Sequence, residues 1–263
     1  MKDRLDVVLY KKGYFASREK AKAAIMAGVV FIDGQRYDKA GTQVDYDTEF
    51  TVKNNTCPYV SRGGLKLEKA IKLYDIDLKD KTCIDMGAST GGFTDCMLKN
   101  GAKKVYSIDV GYGQLDYSLR IDDRVVNMEK TNIRYMTEED LDEKADFVSI
   151  DVSFISLKHM LGVASLLTNT QMQLVALIKP QFEAGREQVG KKGIVRDKNV
   201  HMEVIINVLG YAEKNGLFMK GLSYSPITGT KGNIEYLAIF DKTKSSFTIE
   251  DVKKVVDEAH EKL

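Results

Sequence analysis

Thr82-Cys83-Ile84-Asp85-Met86-Gly87-Ala88-Ser89-Thr90-Gly91-Gly92-Phe93-Thr94-Asp95 is the stretch that decides how this chain folds. A short apolar run ends in Asp85 and breaks into a glycine-rich turn. The turn opens into a helix-like segment from Phe93 to Asn100. Strand, tight turn and helix in that order bring a nucleotide-like cofactor against bare backbone in α/β proteins. Glycines suit the turn because they tolerate positive φ and put no Cβ between chain and ligand.

Working outward, apolar and amphipathic segments alternate from residue 61 onward. Leu65 to Tyr74 is helix-like. Strands are expected at 82–86, 104–109, 124–128, 146–151 and 173–178, with helices at 91–100, 114–120, 136–142 and 154–167. A helix from His201 to Asn215 follows, then Leu217 to Tyr224 and Ile234 to Phe240 as a strand pair. Ser246 to Leu263 closes the chain as an amphipathic helix with Ile249, Val252, Val256 and Ala259 on one face. Alternation of this kind predicts an α/β domain with a mostly parallel sheet and helices on both faces.

Residues 1–53 form a separate compositional unit. Leu5, Val8 and Leu9 sit at helical spacing, and that helix should end near Gly13. Ser17 reads as the N-cap of a second helix with Ala21, Ala24 and Ile25 on its apolar face, closed by Gly28. Val29 to Ile32 is β-prone, Asp33-Gly34 signals a hairpin, Gln35 to Tyr37 returns, and Phe50 to Val52 is a last short strand. Residues 54–60 read as a short linker. Residues 1–22 carry seven basic against three acidic side chains. A solvated helical face explains such an excess, and so does a nucleic-acid contact. The pattern Arg4-Leu5-Asp6, Ser17-Arg18 with Lys20 and Lys22, Gly28-Val29-Val30 and Asp33-Gly34 resembles the S4 RNA-binding domain. That resemblance implies shape and phosphate recognition of structured RNA by Arg4, Arg18, Lys20 and Lys22.

Bulk composition narrows the classes. The 263 residues allow one large or two modest domains. A net charge of +1 means that affinity for nucleic acid must come from local patches. Cys57, Cys83 and Cys96 form no C-x-x-C pair and do not cluster with the histidines, so neither a metal site nor a disulfide framework is expected. No signal peptide is evident, and the apolar run Leu174 to Ile178 is far short of a membrane span. A cytoplasmic location fits reduced cysteines.

The turn also discriminates among cofactors. A dinucleotide fingerprint needs G-x-G-x-x-G, but Ser89 replaces the glycine that lets a pyrophosphate approach. No Gly-Lys-Ser/Thr follows, so this is not a P-loop. Asp109 ends the next strand and is placed to accept hydrogen bonds from a ribose diol. S-adenosylmethionine, with ribose and adenine but no phosphate, suits this arrangement. The expected contacts are Asp85 to the ammonium group, Gly87, Ala88, Ser89, Thr90, Gly91, Gly92 and Phe93 along the turn, and Asn132 at the adenine edge. Each residue also suits a plain role: the acids as strand-end turn residues, Asn132 as a loop residue.

Four more polar residues fall near the carboxyl edge of the sheet, where α/β sites form. Asp151 ends the fourth strand of the domain. Lys179 ends the fifth, directly after a buried apolar run and before Pro180. A lysine there is costly unless paired, and Asp151 on the adjacent strand is the obvious partner. Lys66 lies on the helix entering the domain, and Glu235 opens the last strand. Singly, these are an ordinary helix lysine, an edge-strand acid and a structural ion pair.

Ser61 to Leu67, Asp85 to Asp95, Asp109-Val110-Gly111-Tyr112-Gly113-Gln114-Leu115, Asp151 to Leu157 and Lys179 to Glu183 together resemble the TlyA (hemolysin A-like) family. The resemblance covers essentially the whole chain. It implies a Rossmann-like class I methyltransferase sheet with one antiparallel strand, an FtsJ-like domain at 61–263, and a small α+β S4 domain at 1–53. It also implies 2′-O-methylation of a cytidine in 16S and/or 23S ribosomal RNA. The family's Lys-Asp-Lys-Glu tetrad falls on Lys66, Asp151, Lys179 and Glu235, with Lys179 activating the hydroxyl. The linker departs from the family: the chain has no Trp, and Cys57-Pro58-Tyr59-Val60 stands where an aromatic-bearing linker is expected.

Gly185 to Lys198 holds five basic against two acidic residues. With Arg62, its Arg186, Lys191, Lys192 and Arg196 are expected to grip RNA from a mobile loop, the bland alternative being a solvated loop. Two other functions fit less well: a non-catalytic S4-type regulator, which the complete tetrad argues against, and a membrane-active hemolysin, which lacks a spanning segment.

Overall fold

The computed structural model describes residues 2–52, 57–229 and 232–263. The chain forms two compact units, Met1–Arg62 and Gly63–Leu263. Residues 54–56 of the expected linker lie outside the described residues. Ser61 and Arg62, expected in the second domain, group with the first unit.

In the first unit, α1 (Leu5–Lys11) and α2 (Arg18–Met26) pack together by burying Leu5, Val8, Leu9, Ala21, Ala24 and Ile25. Ser17 Oγ accepts from the Lys20 N–H, which fixes the start of α2. β2 (Val30–Ile32) and β3 (Gln35–Tyr37) are joined through Asp33 and Gly34, at φ +48° and +77°, the left-handed pair that a two-residue hairpin requires. β5 (Thr51–Val52) pairs with the other edge of β2. One strand pair was not expected: β1 (Lys2–Arg4) runs antiparallel to β4 (Gln43–Asp45). Lys2-Asp3-Arg4 lacks the alternation that marks a half-buried strand.

The second unit is built on a seven-stranded sheet among the described residues, in the order β11-β12-β10-β9-β6-β7-β8. The strands are β6 (Thr82–Met86), β7 (Lys104–Ile108), β8 (Val125–Met128), β9 (Ala145–Ile150), β10 (Thr168–Ile178), β11 (Phe218–Tyr224) and β12 (Tyr236–Asp241). β8, β7, β6, β9 and β10 are parallel, and β12 runs antiparallel to both its neighbours. All five residues of β6 are buried, as expected of a central strand covered on both faces. The helices are α3 (Gly63–Tyr74), α4 (Gly92–Lys99), α5 (Tyr117–Arg120), α6 (Leu161–Leu166), α7 (Pro180–Glu183), α8 (Lys198–Glu213) and α9 (Ile249–Lys262). α9 begins where Thr248 and Asp251 form a capping box and buries Val252, Val256 and Ala259 completely. Each buried valine contributes roughly 1.5–3 kcal/mol relative to exposure.

Three expected helices are shorter. The 114–120 segment is helical over Tyr117–Arg120, because the Asp116 carboxylate accepts from Ser118 N–H and sets the start there. The 136–142 segment makes a 3-10 turn at Glu138–Asp140, preceded by another at Ile133–Tyr135. The 154–167 segment starts with Phe154 at φ +64°, which no helix accommodates. It makes a 3-10 turn at Leu157–His159 and then α6.

The topology explains why polar residues gather at one edge. The parallel strands end at Met86, Ile108, Met128, Ile150 and Ile178, all pointing the same way. The chain crosses from β8 to β9 on the other side of β6, so the switch point lies between β6 and β9. β12 is antiparallel, with Tyr236 opposite Ile178. Its first residues therefore reach the same edge as the last residues of β10.

Candidate active site

Gly87, directly after β6, has φ +88°. A Cβ there would lie 2.7 Å from the Asp151 carbonyl oxygen, so only glycine lets the loops after β6 and β9 meet. Gly87 and Ala88 N–H both donate to the Ile108 carbonyl, which ties the turn to β7. Ser89 takes φ +49° and donates its N–H to Asp109 Oδ2 at 2.8 Å. Gly111 N–H donates to Asp109 Oδ1 at 2.7 Å. Asp109 is thus oriented by backbone from two loops.

These loops enclose a cavity of about 350 Å³ at the carboxyl edge. Gly87, Ser89, Asp109 and Asn132 line it, with Val110, Ile133, Val152, Ile155 and Met160 as apolar walls. Asp151, Ser153 and Phe154 also line it. Among the described residues that line it, none is basic. Acceptors at one end, apolar walls and no cation suit a nucleoside-like group without phosphate, as S-adenosylmethionine is.

The rest of the glycine turn supports the cavity from behind. Ala88, Gly91, Gly92 and Phe93 are buried away from its lining. Thr90 accepts through its carbonyl from Asp116 N–H. Gly91, at φ +91°, is pressed by Leu115 and Leu119, where a Cβ would fall within 2.8 Å of both.

Asp85 corrects an expectation. Its side chain is fully buried and does not line the cavity. Oδ2 accepts from Thr94 N–H at 2.9 Å and from Thr94 Oγ1 at 2.7 Å, and Oδ1 accepts from Ser149 Oγ at 3.0 Å. The carboxylate ties α4 and β9 to β6 and is not presented to an ammonium group. Burial, only partly offset by these hydroxyls, pushes its pKa up to about 6.

The four residues at the other end of the edge do converge. Lys179 Nζ lies 2.5 Å from Asp151 Oδ1. Lys66 Nζ lies 3.9 Å from Asp151 Oδ2 and donates to Glu235 Oε2 at 2.7 Å. The chain Glu235–Lys66–Asp151–Lys179 alternates in sign and is formally neutral. Lys66, Lys179 and Glu235 are less than a tenth exposed. Burial alone would raise the Asp151 pKa, but Lys66 and Lys179 outweigh it and hold the carboxyl below its usual range.

Two further residues join the group. Lys179 Nζ donates to Ser153 Oγ at 3.1 Å, and Gln181 Nε2 donates to Glu235 Oε1 at 3.3 Å. Each stands two positions past a tetrad residue, and polar side chains just beyond a strand end are the signal that could have found them. Among the described residues, no group of three His, Cys, Asp or Glu could hold a metal ion.

The basic residues expected at RNA are at the surface. Arg4 and Arg18 both pair with the buried Asp6, through Nε at 3.0 and 2.9 Å. Lys20 and Lys22 are exposed. Arg62 is half-buried near Gly28. Arg186, Lys191, Lys192 and Arg196 are exposed, but the loop that carries them is pinned at its centre. Asn233 Oδ1 accepts from Val195 N–H, Asn233 Nδ2 donates to the Gly193 carbonyl, and His201 Nε2 lies 3.1 Å from the Val195 carbonyl. The loop is anchored beside Glu235 and is not free along its length.

Residues 59–242 match the FtsJ-like methyltransferase family, and residues 3–49 match the S4 domain. The chain is 52% identical to the Bacillus subtilis protein YqxC, provisionally named an rRNA methyltransferase, over 100% of this chain and 95% of that one. It is 41% identical to the Mycobacterium tuberculosis 16S/23S rRNA (cytidine-2′-O)-methyltransferase TlyA, over 89% of this chain and 87% of the relative. A solved Streptococcus thermophilus structure, provisionally titled a hemolysin, superposes with a TM-score of 0.80 at 49% identity, covering 99% of this chain and 96% of that one.

Proposed function

Because the chain belongs to the FtsJ-like methyltransferase family, in its TlyA (hemolysin A-like) branch, we propose that it methylates the ribose 2′-hydroxyl of a cytidine in 16S and/or 23S ribosomal RNA. The observation that carries the reading is the alternating chain Glu235–Lys66–Asp151–Lys179 beside a cavity without cations. S-adenosylmethionine, when bound, supplies the electrophilic methyl group on a sulfonium. Asp109 and Asn132 would hold its ribose and adenine, with Gly87 and Ser89 against it.

A sulfonium is already a good leaving group, so the protein must orient the acceptor and remove its proton. Lys179 Nζ has three hydrogen-bonding directions. Asp151 and Ser153 occupy two of them, and the third is free for the acceptor hydroxyl. To take the proton, the amine must be uncharged at the moment of attack. Asp151 holds Lys179 in place and stabilises positive charge nearby. Lys66 and Glu235 position the ribose. The proton lost by the hydroxyl resides on Nζ, beside the Asp151 carboxylate that stabilises it.

In this reading residues 1–53 recruit RNA through Arg4, Arg18, Lys20 and Lys22, Arg62 adds a phosphate contact in the same unit, and the 185–198 loop adds phosphate contacts at the catalytic domain, expected at 61–263. Asp6 favours that role by fixing the directions of Arg4 and Arg18. The enzyme works where ribosomal RNA is, in the cytoplasm. No helix among the described residues is long and apolar enough to cross a membrane. Mapping 2′-O-methyl positions in rRNA from cells with and without the protein tests the reading. A cytidine methylated only in its presence is expected, and no difference at any position overturns it.

A further inference from the structure

Tyr112 and Tyr135 are 72% and 74% exposed, although aromatic side chains usually bury most of their area. Each stands on a loop whose other residues line the cavity. Tyr112 lies two residues after Val110, and Tyr135 three after Asn132, and Val110 and Asn132 line the cavity. The two loops are tied together: Lys130 N–H donates to the Gly111 carbonyl at 2.9 Å, and Thr131 N–H to the Asp109 carbonyl at 3.0 Å.

Each ring carries a cation. Lys130 Nζ is 4.4 Å from the Tyr112 ring centroid, and Arg134 Cζ is 5.4 Å from that of Tyr135. Lys130 adopts φ +55°, an uncommon conformation for a residue with a side chain. Arg134 is steadied by its Nε and backbone N–H, which both donate to Asn132 Oδ1. Among the described residues neither cation has a carboxylate partner.

We propose that Tyr112 and Tyr135, with Lys130 and Arg134, form a stacking site for unpaired bases of the RNA strand that flanks the acceptor nucleotide. The inference rests on the RNA-directed reading above. Every base has a π-face, so exposed tyrosines stack it without regard to sequence, while the adjacent cation meets the phosphate. Two unneutralised cations beside two flat rings favour a single-stranded polyanion over an apolar protein partner. The site lies apart from Lys179 and contributes to holding the strand, not to the chemical step.

Two measurements test it on the full-length protein. The first is methylation kinetics with ribosomal subunits for wild type, Tyr112→Ala, Tyr135→Ala and both Phe replacements. Each alanine variant should raise KM about tenfold with kcat within twofold of wild type, and the Phe variants should match wild type. The second is quenching of a 2-aminopurine base in a single-stranded oligoribonucleotide, which needs no methyl transfer. Wild type should quench, and the double alanine variant should not. Failure of wild type to methylate any rRNA overturns the functional reading, and quenching then decides the stacking site alone. Alanine variants with unchanged KM and quenching overturn the stacking site and leave the function standing.

Discussion

Lys66 bridges two carboxylates, donating to Glu235 Oε2 at 2.7 Å and standing 3.9 Å from Asp151 Oδ2. Its ammonium keeps the buried Glu235 and the partly buried Asp151 from repelling each other at one sheet edge. α3 carries Lys66, β9 leads to Asp151, and Glu235 directly precedes β12, so one side chain joins three separate elements. Removing it leaves the buried Glu235 carboxylate without its ion-pair partner.

Lys66→Met should therefore destabilise the protein by about 3–5 kcal/mol at neutral pH, the usual cost of breaking a buried pair. Asp151 is held below its usual pKa range by burial being outweighed by Lys66 and Lys179. A carboxyl lowered by folding contributes stability above its unfolded pKa and loses it as pH falls through the folded value. The stability gap between wild type and the variant should thus be full from pH 7 down to about pH 4 and narrow only below it, as pH falls through the lowered Asp151 value toward about pH 2. Thermal midpoints across that range check it, and a constant gap refutes the bridging role.

Lys179→Ala should abolish methyl transfer while cofactor binding persists, since Lys179 does not line the cavity and Gly87, Ser89 and Asp109 do. Lys179→Arg should be as inactive, although it keeps the charge, because a guanidinium stays protonated up to a pH of about 12. General-base catalysis is typically worth about 10²–10⁴-fold. Single-turnover rates and calorimetric cofactor binding separate the two effects. An active Arg variant would mean that positive charge, not proton removal, is the contribution of Lys179.

Asp85→Asn should leave cofactor affinity within a few-fold and flatten the pH dependence of stability. Burial pushes the Asp85 pKa up to about 6 from the ordinary carboxyl value of 3.8. A carboxyl raised by folding contributes stability that is fully present below the unfolded pKa and is lost as pH rises through about 6. Ionised Asp85 thus costs on the order of 3 kcal/mol at pH 8. An asparagine can accept from Thr94 through its oxygen and donate to Ser149 Oγ, so the network survives. Urea midpoints at pH 5 and pH 8 should differ less for the variant than for wild type. A large loss of cofactor affinity would return Asp85 to the ammonium-binding role expected from the sequence.

Asp85 also shows how far the sequence carries. Its place at the end of β6 was legible, because a β-prone run ending before glycines marks a strand end. Its partners were not, because Thr94 and Ser149 approach from α4 and β9, and no local pattern encodes that meeting. The parallel strands were legible from their apolar runs, β6 with both ends as expected and the others with ends up to five residues off. β1 was missed because Lys2-Asp3-Arg4 has no alternation, and the expected helix at 136–142 gave way to a 3-10 turn. Lys179 stood out as a charge after an apolar strand. Ser153 and Gln181 did not, since a serine in a loop and a glutamine in a short helix are ordinary.

Ser153 offers the sharpest test of how Lys179 is aimed. Ser153 Oγ accepts from Lys179 Nζ at 3.1 Å while Asp151 holds a second direction, leaving one for the acceptor hydroxyl. Without the serine, the amine pivots about its single remaining anchor. Losing one orienting hydrogen bond, worth about 1–2 kcal/mol, slows the step roughly tenfold. Ser153→Ala should therefore lower kcat about tenfold with little change in KM for RNA, and Ser153→Thr, which keeps the hydroxyl, should recover most of the rate. Ser153 also lines the cofactor cavity, so calorimetry must show that cofactor affinity is retained in both variants. If Ala and Thr slow the step equally, the loss comes from packing at the strand end and not from the aim of the lysine.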